Sequence, residues 1–168
     1  MAHDENTTLV LPVSVINRGD VGRLLRELKV LDEFLQQAAI RQPGTSMKMP
    51  RTSRFMDELL QANKLNALVE ADRKVLLTFI DGVYKKAPTL HLSFNADPSP
   101  LFSQRLVTWL RKEIHPHVLV QSGLQPSIGA GCTLRTANKY FDFSLRENFR
   151  AKRELLVRQI QEATRSAQ

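Results

Sequence analysis

Hydrophobic positions recur along this chain with two different periods. From Val21 to Ala38 they fall at Val21, Leu24, Leu28, Leu31, Leu35 and Ala38, in alternating steps of three and four, with Leu25 and Phe34 widening the stripe. That is the seam of a long amphipathic helix. Asp20 precedes it and Pro43-Gly44 comes after it as a stop signal. A turn-rich basic linker, QPGTSMKMPRTS, leads to Ser53, which suits the N-cap of a second helix carrying Phe55, Met56, Leu59 and Leu60 on its apolar side. A third helix is expected from about Ala71 to Lys86, with Val75, Leu76, Phe79, Ile80 and Val83 inward; Pro88 bars its continuation.

After Pro88 the period becomes two. Leu90, Leu92 and Phe94 alternate with His91 and Ser93, the pattern of a half-buried strand. Ser99 and Pro100 suit a helix cap and a first helical position, and Leu106, Val107, Leu110 and Ile114 fall on one helical face, with Trp109 at its edge. Val118 to Leu124 reads as a second strand. CTLRTA and YFDFSL read as a third and fourth, joined by Asn138-Lys139, where Asn suits the positive φ of a tight turn. Phe141, Phe143 and Leu145 alternate with Tyr140, Asp142 and Ser144 in the manner of a core strand. Ser144 and Glu147 form a capping box for a last helix, Leu145 to about Ala163. Its apolar face holds Leu145, Phe149, Leu156 and Ile160, and its outer face is basic, with Arg146, Arg150, Lys152, Arg153 and Arg158. The expected fold class is α+β: a helical N-terminal domain over residues 1–87, then a β-α-β-β-β-α domain over 88–168.

The 168 residues carry a formal net charge of +7, which opens the chain to nucleic acid, an anionic surface or an acidic protein. The single cysteine, Cys132, excludes an internal disulfide and any multi-cysteine metal site. The first fifteen residues hold two acids and no Lys or Arg, so they lack the basic start of a secretory signal, and no apolar run reaches membrane-spanning length.

Catalytic chemistry finds little to build on. His115 and His117 flank Pro116, but no nearby ligand completes a metal set. Cys132 lies in an apolar strand without a partner pattern for a nucleophile, and Asp97 and His91 read as loop and strand-surface residues. Gly129-Ala130-Gly131 opens a strand, whereas a phosphate loop opens a helix, so a bend or bulge is the better reading. Neither a cofactor nor catalytic or metal-ligating residues are expected. Tyr140, Phe141 and Phe143 stand near Arg135 and Lys139, which keeps a small basic RNA-binding module as the alternative, although no RNP-like motif is present.

The stretch PSIGAGCTLRTANKYFDFSL resembles the C-terminal signature of the delta subunit of F-type ATP synthases, the family of the oligomycin-sensitivity-conferring protein. The pattern falls on Pro126, Ser127, Gly131, the strand Cys132–Leu134, Arg135, the Asn138-Lys139 hairpin, Asp142 and Ser144. Ala130 and Phe143 stand where the family has glycine, and Gln125 stands where it has an acid. The resemblance extends over about residues 70–165 and is weaker over 1–69. It implies a non-catalytic stator in the peripheral stalk, linking the alpha/beta catalytic head to the b subunits during proton-driven ATP synthesis. Such a protein sits in the cytoplasm at the inner face of a bacterial-type plasma membrane, without inserting into it and without nucleic acid. Pro126, Gly131, Arg135, Asp142 and Ser144 are then structural. The seam Leu24, Leu28, Leu31 and Leu35 is the expected face for an alpha-subunit segment, and Arg150, Lys152 and Arg153 for an acidic b-subunit coil.

Overall fold

A computed structural model describes residues 9–40 and 49–166. The chain is mixed helix and sheet, of the α+β class. Its elements are α1 (Arg18–Ile40), α2 (Arg54–Asn63), α3 (Glu70–Lys86), β1 (Thr89–Phe94), α4 (Pro100–Glu113), β2 (Leu119–Leu124), a 3₁₀ turn (Pro126–Ile128), β3 (Cys132–Arg135), β4 (Tyr140–Asp142), α5 (Leu145–Ala151) and α6 (Arg153–Ser166). The Pro43-Gly44 stop and most of its linker lie outside the described residues.

Two compact units emerge, and they do not divide at residue 87. One comprises residues 1–89 with 100–120, the other 90–99 with 121–168. Helix α4 thus belongs with the helical unit, because its contacts outweigh its place in the chain.

In the first unit, Leu24 and Leu28 of α1 pack with Met56 and Leu59 of α2, Leu76 and Ile80 of α3, and Leu119. Helix α1 starts earlier than the position of Asp20 suggests. Asn17 is the cap: its Oδ1 accepts the Asp20 N–H (3.0 Å), and the Asp20 carboxylate accepts the N–H groups of Ile16 and Asn17 (both 3.2 Å). This reciprocal box satisfies donors that a helix start leaves unpaired. Ser53 caps α2 as expected, its hydroxyl oxygen accepting the Met56 N–H. Arg73 of α3, 4% exposed, pairs with Asp32 of α1 at 2.6 Å and donates to the carbonyls of Ala67 and Leu68. The expected inward face of α3 is partly corrected: Leu76, Ile80 and Val83 are buried, Phe79 is half-buried and Val75 is exposed. On α4, Val107 and Leu110 are buried, whereas Ile114 is exposed just past the helix end and Trp109 is exposed on its outer side.

Residues Leu9–Asn17 form an irregular strap in this unit, with a turn closed by the Val15 N–H on the Pro12 carbonyl at 3.1 Å. Arg111 of α4 holds it, donating through Nη1 to the carbonyls of Leu11 (3.0 Å) and Pro12 (2.8 Å), through Nη2 to Val15, and through Nε to Val118 (3.4 Å). The Val120 N–H then bonds the Ile16 carbonyl at 2.8 Å, so the strap also covers the start of β2. Burial lowers the Arg111 pKa to about 10, which leaves the guanidinium charged at neutral pH among carbonyl dipoles.

The sheet has the order β2-β1-β3-β4. Strands β1 and β3 are antiparallel with Leu92 opposite Leu134, and β3 and β4 are antiparallel with Leu134 opposite Phe141. The bonds Leu119 N–H to Pro88 O and Gln125 N–H to Phe94 O keep chain order, which makes β2 parallel to β1. The β3–β4 turn is not the positive-φ turn expected at Asn138, since Lys64 is the only non-glycine with positive φ among the described residues. The Thr136 hydroxyl accepts the Lys139 N–H (3.0 Å) while the Thr136 N–H bonds the Lys139 carbonyl (2.8 Å).

Replacing Arg111 by Leu removes the donors that hold four carbonyls. Urea unfolding of Arg111→Leu is expected to lose about 1–3 kcal/mol, with faster amide exchange over residues 9–17; unchanged exchange there would contradict the strap's dependence on Arg111.

Candidate partner-binding arm

The C-terminal segment is launched from the sheet by a group of short-range interactions. Gly131 has φ +93, and a Cβ placed on it would overlap the carbonyl oxygen of Phe143 and meet the Ser144 Cα. Only glycine allows both that φ and that approach. The Phe143 N–H bonds the Cys132 carbonyl and the Leu145 N–H bonds the Ala130 carbonyl, each at 2.9 Å, so the 130–132 loop and the 143–145 corner are stitched together. The Asp142 carboxylate accepts the Ser144 N–H at 2.8 Å. Ser144, through its side chain first and then this amide, pulls the Asp142 pKa below the usual carboxylate range. Ser144 itself is buried, and its hydroxyl oxygen accepts the Glu147 N–H as the N-cap of α5.

Beyond this corner the chain departs from the single packed helix expected of it. The helix breaks at Lys152 (φ −104, ψ 14), where the amide bonds back to Asn148 and Arg150, and resumes with the Leu156 N–H on the Lys152 carbonyl. No described residue from 145 to 165 is buried. Leu145, Phe149, Leu156 and Ile160, expected to face inward, are about half exposed, Phe149 at 53% and Ile160 at 58%. Period reveals a face; it does not say whether the chain itself covers that face. Phe141 and Phe143 are a further correction: both are exposed, and their rings stack at 6.1 Å and 10°. Exposed apolar side chains thus occur from β4 through both helices of this segment. The arm carries six basic and three acidic side chains over residues 145–165, with Arg150, Lys152 and Arg153 clustered and exposed at the break.

The other expected site residues divide clearly. Pro126 opens the 3₁₀ turn, and Arg135 ends β3 on the surface opposite Tyr140. Leu24, Leu28 and Leu31, expected as a partner-binding seam, are at most 2% exposed because the unit's own core consumes them; Leu35 is half-buried. They cannot receive a partner helix without opening that core. Cys132 is half-buried, and burial, aided by the Asp142 charge, raises its thiol pKa away from nucleophilic chemistry. His115 and His117 stand with their rings 5.8 Å apart, and His117 lies edge-on to Phe79 at 5.2 Å. No cluster of three His, Cys, Asp or Glu that could hold a metal occurs among the described residues. Nor is any helix among them long and apolar enough to cross a membrane. The Arg111 clamp escaped sequence reading because its strap partners lie 96–100 residues away.

No family model matches the chain, and no curated protein is significantly similar to it.

Gly131→Ala is expected to destabilise the protein by at least about 2 kcal/mol, from φ strain and the clash with Phe143, read as a lower midpoint in urea. Ser144→Ala should cost about 1 kcal/mol. Because the Asp142 pKa is lowered on folding, its cap is intact above the ordinary carboxylate pKa and is lost as pH falls below about 4. Faster exchange of the Ser144 amide in that window, absent in Asp142→Asn, checks it.

Proposed function

We propose that this chain is a non-catalytic stator subunit of the peripheral stalk of a rotary F-type ATP synthase, linking the alpha/beta head to the b subunits. The observation that carries the reading is the arm. It is an amphipathic helical segment whose apolar side chains are exposed and whose flank is basic, anchored at a rigid sheet corner. A stator transmits torque through helix contacts and needs no reacting groups, so its working surfaces are exposed faces of this kind. Pro126, Gly131, Asp142 and Ser144 support the same reading, since each has a structural role at a turn, a close approach or a cap, and the family resemblance takes these residues as structural. The basic cluster at Arg150, Lys152 and Arg153 suits an acidic b-subunit coil, with apolar contacts at Phe149, Leu156 and Ile160. Contact with the head falls to surfaces of the first unit other than the buried α1 seam. On this reading the protein works in the cytoplasm, peripheral to the inner face of the membrane, without cofactor.

Phe141 and Phe143, exposed beside Lys139, favour the second reading, an RNA-binding module in which bases stack on these rings. Binding to mixed RNA that weakens steeply with salt would support it and count against the stator.

In pull-downs with the soluble part of a cognate b subunit, the triple variant Arg150→Glu, Lys152→Glu and Arg153→Glu is expected to lose at least about tenfold in affinity. Phe149→Ala with Ile160→Ala should lose a similar amount with little change in fold stability. Undiminished binding by both variants would overturn the assignment of the arm.

A further inference from the structure

The first unit carries a second open surface, on the outer side of α3. One hollow is lined by Leu9, Lys74, Val75, Thr78 and Phe79. A second shares Thr78 and Phe79 and continues past Gly82, Val83 and Lys86 to His115 and His117. Together they make a trough along α3 from Val75 to Ala87, roughly 18 Å at the helical rise, or about three turns. Its floor is apolar, and no acidic side chain lines either hollow. Lys74 is paired with Glu70, so among the lining residues the lysine at the far end is Lys86, beside His115 and His117.

Gly82 sits in the middle of α3, where glycine is a poorer helix former than alanine. Its φ is not positive, and a Cβ placed there would meet nothing within 4 Å. Neither backbone conformation nor packing among the described residues therefore calls for a glycine. A glycine on the wall of an open apolar trough lets another backbone approach closely, as small residues do where helices cross.

We infer that the α3 trough is a docking groove for an amphipathic helix of a partner protein, with a small residue over Gly82 and acidic residues at the end near Lys86 and the two histidines. The length, the apolar floor, the lack of acidic lining and Lys86 at one end fit such a helix. The lining of this groove belongs wholly to the first unit, and its occupancy does not depend on the stator reading.

The test uses the full chain and a synthetic amphipathic peptide of about 15 residues, ~22 Å as a helix. It carries leucines on one face, a central alanine, and glutamates toward one end. Amide shifts on titration are expected at Val75–Lys86 and at His115–His117, and a lysine-for-glutamate version should bind at least about tenfold more weakly. Gly82→Ala is expected to raise the melting temperature by about 2–4 °C while weakening the peptide. Thr78→Arg, on the exposed side, should weaken it without affecting the fold. Equal binding of the two peptides, shifts confined to residues 140–166, or full affinity in both variants would overturn the groove.

Discussion

The close approach of Gly131 to the carbonyl of Phe143 is the constraint on which the C-terminal segment of this molecule rests. It brings two loops together at a distance no side chain permits, and the Phe143–Cys132 and Leu145–Ala130 bonds then fix the corner. Asp142 and Ser144 convert that fixed corner into a helix start with its amides satisfied. The exposed residues 145–165 follow directly from this corner. The stator proposal needs a well-fixed root for this segment, and the corner is fixed by backbone geometry and hydrogen bonds rather than by a large core.

The helical unit solves a different problem. Its α1 seam has the period of a bundle helix and is an alpha-subunit face only by the family resemblance; Val21, Leu24 and Leu28 lie in the unit's own core. The strap and Arg111 close one side of that unit using carbonyl dipoles as the counterpart of a positive charge. With the seam consumed, exposed apolar side chains remain on the outside of α3 and along the arm. Both are apolar with basic margins, and a protein with net charge +7 that works between acidic helices would present such surfaces.

Local rules carried the sequence reading where cause and effect lie within a few residues. Ser53 and Ser144 were legible as caps because a cap bonds the amide three positions on, and Pro88 and Pro100 as boundaries because proline lacks an N–H. The two periods located the helices and strands. The reading failed where tertiary context decides. Asn17, not Asp20, caps α1, since either residue suits the motif in isolation. The Thr136 hydroxyl replaced the positive φ expected of Asn138. Lys152 interrupts a helix that periodicity alone draws as continuous. The exposure of Phe141, Phe143, Phe149 and Ile160 was illegible for a general reason: alternation marks an apolar face, but whether this chain or another covers it is not written in the period.

The central claim is that the chain bridges two parts of a rotary enzyme, so the direct measurement is assembly. A cognate alpha/beta/gamma head and the soluble part of the b subunit would be mixed with and without this protein and followed by native mass spectrometry. The account predicts a head–b complex that forms only when the protein is present, with one copy in each complex. A head and b subunit that associate equally well without it, or a protein that joins neither, would contradict the account.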